Sequence, residues 1–200
     1  FLALLAEHKK PGGRLYEMLF SLPMAISMST TCMIFKLLLN PTVGYLNYAL
    51  GLKVNWLRDV STALPSLVSI SVWTNAGYQF IFLMAALRSI PTDLIEAAHI
   101  EGAGWFARTR KITLPLISPT IFYLLCTDIV MNMMMAGPTM VLTRGGPRQS
   151  TVTLIYHMYD RSIYNQFWGY GYAMSVLIFL IVFGMILLAF RAERKGVHYT

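Results

Sequence analysis

The feature that most restricts this chain is a set of four apolar stretches, at about residues 15–39, 60–87, 116–142 and 172–190. Among them they hold only Glu17, Lys36 and Asp128 as charged side chains. One helix needs about 20 such residues to cross a bilayer core. A soluble domain has no use for that arrangement, because it buries one core and carries charge on roughly a quarter of its residues. Here 12% of the 200 residues are charged and 56% are hydrophobic. In hydrocarbon each backbone N–H and C=O must be satisfied within the protein, so stretches of this length are read as helices. The expected fold class is all-α, a polytopic bundle of membrane helices.

Charge placement removes other classes. The net charge of +7 suggests nucleic acid, but the basic residues lie in short loops between apolar blocks and form no continuous basic face. Cys32 and Cys126 fall inside apolar blocks without metal-ligand spacing, and read as small buried hydrophobes. His8, His99, His157 and His198 are scattered over loops and tail. No phosphate-binding G-x-x-x-x-G-K-[ST] loop, nucleophile–base pair or metal cluster is written in the chain, so neither catalysis nor a cofactor or metal is expected of it.

The opening FLALLA reads as the tail of a helix begun further upstream, a stub at 1–6, so the chain is expected to be N-terminally truncated. With the spans alternating, ten of the sixteen basic residues fall on one side: Lys9, Lys10, Arg14, Arg88, Arg108, Arg110, Lys111, Arg191, Arg194 and Lys195. Lys36, Lys53, Arg58, Arg144, Arg148 and Arg161 fall on the other. The positive-inside rule makes the first side cytoplasmic. Loops 40–59 and 143–171 are then extracytoplasmic and loop 88–115 cytoplasmic. In loop 40–59, TVGYLNYALGL reads as a short surface helix. Tyr164, Phe167, Trp168, Tyr170 and Tyr172 resemble an interfacial aromatic belt.

The cytoplasmic loop, SIPTDLIEAAHIEGAGWFARTRKITLPL, carries the most information. Pro91 suits a first helical turn, where its missing N–H leaves no extra orphan. Asp93 and Glu96 follow where negative charge favours the helix start. Ala97 and Ala98 keep one face flat, and Gly102 stops the helix with a left-handed residue. A second short helix, GWFARTRK, leads to Pro115 and the next span. An amphipathic helix resting on lipid headgroups accounts for these features equally well on physical grounds.

The spelling goes further. Glu96-Ala97-Ala98, three residues, Gly102, nine residues and Ile112-x-Leu114-Pro115 resemble the EAA loop of binding-protein-dependent ABC permeases in order and spacing. The resemblance covers the whole chain: the LP at Leu22-Pro23 looks like the family's third helix. The run from Gly145-Gly146-Pro147 through TLIYHMY to VHYT looks like its carbohydrate and glycerol-3-phosphate branch, which includes maltose-type permeases. It implies a type I importer permease in a bacterial inner membrane. The implied partners are a second permease subunit in a heterodimer, two copies of a cytoplasmic ATP-binding subunit and an extracytoplasmic solute-binding protein, with a lipid bilayer and no nucleic acid. ATPase closure would act on Glu96, Ala98 and Gly102 and rock the two permeases.

Polar groups at bilayer depth are costly and need a reason. Asp128 and Asn132 lie one helical turn apart in the third apolar stretch, and the resemblance places them at positions that line the sugar site of maltose-type members. Asp128 stands where a neutral Ser is typical. Trp73, Gly77 and Phe80 likewise fall at solute-lining positions, and Tyr78 with them offers rings to stack on a sugar. Interhelical hydrogen bonding and aromatic packing are the competing readings. Asp128 favours a neutral saccharide over an anionic solute, since like charges repel strongly in a low-dielectric site. An amino-acid or peptide permease with the same loop, or a secondary transporter without an ATPase, are the alternatives.

Overall fold

The computed structural model describes residues 2–7 and 13–193, and among these there are helices and turns but no strand. The basic turn with Lys9 and Lys10, and the tail with Arg194, Lys195 and VHYT, lie outside the described residues, as do His8 and His198. Helix α1 (Leu2–Glu7) precedes α2 (Gly13–Ala25) and α3 (Met28–Leu38). The short α4 (Tyr45–Leu50) leads to α5 (Val60–Arg88), the long helix on which the others assemble. After α6 (Thr92–Ile100) and α7 (Trp105–Arg108), a π turn at Thr109–Thr113 runs directly into α8 (Leu114–Met133). Helix α9 (Leu154–Tyr159) and the final α10 (Trp168–Glu193) complete the order.

Among the described residues, three runs are long and apolar enough to span a bilayer: α5, the run Trp105–Met133 and the α10 segment Trp168–Arg191. At 1.5 Å per residue, a 29-residue run such as α5 reaches about 43 Å, enough to cross the ~30 Å hydrocarbon core with a tilt. The stretch expected as one continuous span at 15–39 is instead broken. Helices α2 and α3 meet at 104°, either as a broken span or as a re-entrant loop. The sequence marks the corner twice. Pro23 removes a backbone donor from the last turn of α2, and Ser27 takes extended geometry and accepts from the Thr30 N–H at 3.2 Å, capping a new helix.

The third apolar stretch also differs from its expected 116–142 bounds. Its helix starts at Trp105 and stops at Met133, followed by a break before Pro138 and a π turn at Thr139–Thr143. At its start, Pro115 leaves a backbone carbonyl without its usual donor. The π turn shifts the register there, with the Leu114 N–H reaching Thr109 O. Pro119 frees the carbonyl of Pro115, which the Ser118 hydroxyl takes up at 2.7 Å.

The core lies where α5 meets its neighbours. Phe80, Met84 and Leu87 of α5 pack with Ala3 of α1 and Ile117 of α8, and Phe20 of α2 tilts against Phe80 at 5.3 Å between ring centres. A second cluster joins Leu67 and Ile70 to Leu39, beneath the loop carrying α4. That loop is locked by Asn47, which donates to Pro41 O and Val54 O and accepts from the Trp56 indole at 2.7 Å. Arg88 pairs with Glu17, tying the end of α5 to α2. Much of the outer face of α10 is exposed large hydrophobic side chains, such as Phe179, Leu180 and Leu188. That is the surface a lipid or protein neighbour would cover.

Candidate functional site

The segment between α5 and α8 forms a helix–turn–helix knuckle. Pro91 is the residue preceding α6, not within its first turn, and Thr92 opens the helix. Asp93 follows in the first turn, where the helix's partial positive charge favours it. The far end is a Schellman cap: the Gly102 N–H bonds His99 O at 3.1 Å and the Ala103 N–H bonds Ala98 O at 3.0 Å. Gly102 adopts φ +75°, which side-chain-bearing residues take only with strain. Among the described residues beyond its own chain neighbours, a Cβ at that position would meet no heavy atom within 4 Å, so the surface beyond it is open.

Glu96, Ala97 and Gly102 are exposed, whereas Ala98 is turned into the chain. The remaining motif residues, Ile112, Leu114 and Pro115, sit on the π turn and the first turn of α8. The second arm of the knuckle is therefore continuous with a spanning helix. No loop intervenes between the π turn at Thr109–Thr113 and α8. Sequence reasoning missed the apolar residues beside the motif: Ile100 is 88% exposed and Phe106 69%. Large apolar side chains this bare mark an interaction surface.

The five residues expected along the solute path fall on two sides of α5, three of them on α5 itself and two on α8. Trp73, Gly77 and Phe80 share one face, at i, i+4 and i+7. That face meets α2 and α3: Trp73 lies edge-on to Phe35 at 5.4 Å, Phe80 is in the core, and a Cβ on Gly77 would stand 3.0 Å from Met24 N. Asp128 and Asn132 belong to the other side, where α5 packs on α8. Asn132 Oδ1 accepts from Ser71 at 2.9 Å and from Asn75 at 3.5 Å, while its amide donates to Asp128 O at 2.9 Å. Lower on the same seam Tyr78 and Tyr123 share a hydrogen bond of 3.3 Å, with Phe82 stacked obliquely on both.

The structure thus brings Asn132 together with Ser71 and Asn75, and Tyr78 together with Tyr123, where α5 meets α8, joins Asp128 to Asn132 through its backbone carbonyl, and places Trp73, Gly77 and Phe80 against α2 and α3. Ser71 and Asn75 were available as a signal, being polar residues one turn apart in a stretch free of charge. No group of His, Cys, Asp and Glu side chains among the described residues is arranged to hold a metal ion.

This architecture, with its knuckle feeding a spanning helix, defines a membrane-embedded transport subunit. The chain belongs to the family described as binding-protein-dependent transport system inner membrane component, whose pattern it matches over residues 1–195. Curated relatives include the sn-glycerol-3-phosphate transport system permease protein UgpA of Pectobacterium atrosepticum and of Yersinia enterocolitica. Each is 36% identical over 203 residues, covering 100% of this chain and 69% of the relative. A solved bacterial alginate ABC transporter, in complex with an alginate pentasaccharide-bound periplasmic protein, has a chain of the same fold. The TM-score is 0.88 at 23% identity, over 97% of this chain and 70% of that one. The chain is accordingly an ABC importer permease component, a multi-pass inner-membrane protein.

Proposed function

We propose that this chain is one of two permease subunits in an ATP-driven importer of a carbohydrate-class solute, with glycerol 3-phosphate the first to try. ATP is hydrolysed on two copies of a separate cytoplasmic subunit, and an extracytoplasmic binding protein delivers the solute. The orientation that places loop 88–115 in the cytoplasm follows the basic residues around it. The observation that carries the reading is the knuckle. A capped helix with an open glycine, bare Ile100 and Phe106 and a rigid continuation into α8 is built to be gripped and moved by another protein. Glu96, Ala97 and Gly102 supply the contact, and Ile112, Leu114 and Pro115 join it to the span.

The solute class rests on the relatives at 36% identity, which are glycerol-3-phosphate permeases, and on the hydrogen-bonding character of the α5–α8 seam. Asp128 and Asn132 contact the solute there, and Trp73, Gly77 and Phe80 shape the neighbouring wall. The Asp128 carboxylate matches hydroxyl groups and repels phosphate, so a phosphorylated polyol passes with its hydroxyl end towards Asp128. The test is solute-stimulated ATP hydrolysis by the reconstituted complex, across sugars, polyols and their phosphates, with amino acids and peptides as the competing class.

A further inference from the structure

The loop between the π turn at Thr139–Thr143 and α10 folds around a cavity of about 430 Å³ that neither the coupling knuckle nor the α5–α8 seam uses. Arg144, Arg148 and Arg161 line it with His157, Tyr156 and Asp160. Three arginines thus share its lining with one acidic residue. Among the described residues no carboxylate lies within ion-pair distance of any of the three, Asp160 included. They stand in a loop assigned to the extracytoplasmic side, where the positive-inside bias disfavours arginine, so their concentration in one cavity calls for a ligand.

The backbone supports the same reading. Arg144, Arg148 and Gln149 take left-handed conformations, with φ of 50°, 48° and 62°. Such strain in non-glycine residues persists only where the surroundings enforce it, and it collects at binding sites. Here a threonine cluster does the enforcing. Thr151 donates to Gly146 O at 2.8 Å, Thr143 meets Thr151 Oγ1 at 2.8 Å, and Thr139 donates to Thr151 O at 3.3 Å. Thr139 and Thr151 are fully buried. Gly145 completes the corner at φ +81°, where a Cβ would stand 2.8 Å from Val152. Burial raises the Tyr156 phenol pKa, Asp160 adds to that and Arg144 opposes it, so the phenol stays protonated as a further donor at neutral pH.

We propose that this cavity is an anion-receiving site on the outer face, which holds the phosphate of a phosphorylated polyol before it reaches the α5–α8 seam. Arg144, Arg148 and Arg161 are its ligands, since planar guanidiniums match phosphate oxygens bidentately. The proposal rests on the importer orientation above and gives the phosphate a place remote from Asp128.

The test is equilibrium binding of inorganic phosphate and of glycerol 3-phosphate to the full-length complex in phosphatidylcholine nanodiscs, without the binding protein and without ATP. Binding should be saturable and should weaken at least about tenfold in Arg144→Gln and in Arg148→Gln. Arg58→Gln, outside the cavity, should bind like wild type, and Arg148→Lys should bind better than Arg148→Gln. Co-purification with the ATPase confirms that each variant is assembled. Absence of saturable phosphate binding, or equal binding by the Gln variants, overturns the proposal. So does unchanged phosphate binding in the Gln variants when a separate pull-down shows weakened docking of the binding protein, which makes the cavity a protein-docking surface. Loss of phosphate binding when phosphatidylglycerol is added assigns it to lipid headgroups and overturns it as well. None of these readouts needs ATPase coupling, so the site and the importer reading fail separately.

Discussion

Gly102 allows local geometry to be separated from partner contact, because its two constraints have different chemistry. At φ +75° a side chain costs about 1–2 kcal/mol for Ala, and less for Asn or Asp, which visit the left-handed region more readily. An Asp there also adds a negative charge at the C-terminal end of α6 beside Glu101, unfavourable by about 0.3–1 kcal/mol. Against a typical stability of about 5–15 kcal/mol, none of these unfolds the chain. Nor does any clash arise among the described residues, since apart from its chain neighbours none lies within 4 Å of the added Cβ. The knuckle should therefore keep its shape in Gly102→Asn, Gly102→Ala and Gly102→Asp.

An ATPase groove packed against the glycine adds a second penalty that stability does not register. Gly102→Ala should lower solute-stimulated ATP hydrolysis several-fold, and Gly102→Asp should abolish it, with both variants inserted in the membrane at wild-type levels. The assay is ATP turnover of the reconstituted complex, with and without solute and binding protein, beside a membrane-fraction blot. Wild-type stimulation in Gly102→Asp would falsify the contact. Full activity in Gly102→Asn with loss only in Gly102→Ala would also sink it, because that pattern reports a helix cap and nothing more.

Three further outcomes follow from the packing. Asn132→Leu removes the acceptor shared by Ser71 and Asn75; interhelical hydrogen bonds in membranes are worth about 0.6 kcal/mol each, so thermal stability should fall only slightly while solute-stimulated turnover drops by much more. Gly77→Val pushes a branched side chain against the Met24 backbone, and should cost about 1–3 kcal/mol in thermal unfolding followed by thiol labelling of the fully buried Cys32. Asn47→Leu leaves the Trp56 indole and two carbonyls without their partner, and at about 1–3 kcal/mol per unsatisfied buried group should open loop 40–59 to proteolysis.

The knuckle was legible in the sequence because its demands are local. A helix end needing a left-handed residue selects glycine, and the spacing around Gly102 carries over directly into the cap. The corner between α2 and α3 was hidden because Pro23 is tolerated inside lipid-embedded helices, and Ser27 reads as one more small polar residue until its cap is seen. Helical spacing puts Trp73, Gly77 and Phe80 on one face of α5. Which neighbour that face meets was not available. Helix α5 spreads small polar and apolar residues round its whole circumference, so periodicity gives it no inward direction, and only the packed bundle turns Ser71 and Asn75 towards Asn132. The outer cavity was hidden for a different reason. Arg144, Arg148 and Arg161 are separated in the chain by a turn and a helix, and converge only after the threonine cluster folds the loop.

The central claim is that this chain couples ATP hydrolysis on a separate subunit to solute movement. It is tested most directly by reconstituting the protein with its partner permease, ATPase and binding protein in proteoliposomes, and measuring ATP turnover against a panel of solutes. The account predicts that a polyhydroxylated solute, glycerol 3-phosphate first among them, raises turnover well above the basal rate and is accumulated inside. An assembled complex whose turnover responds to none of them, or solute uptake that continues without any ATPase, would contradict it.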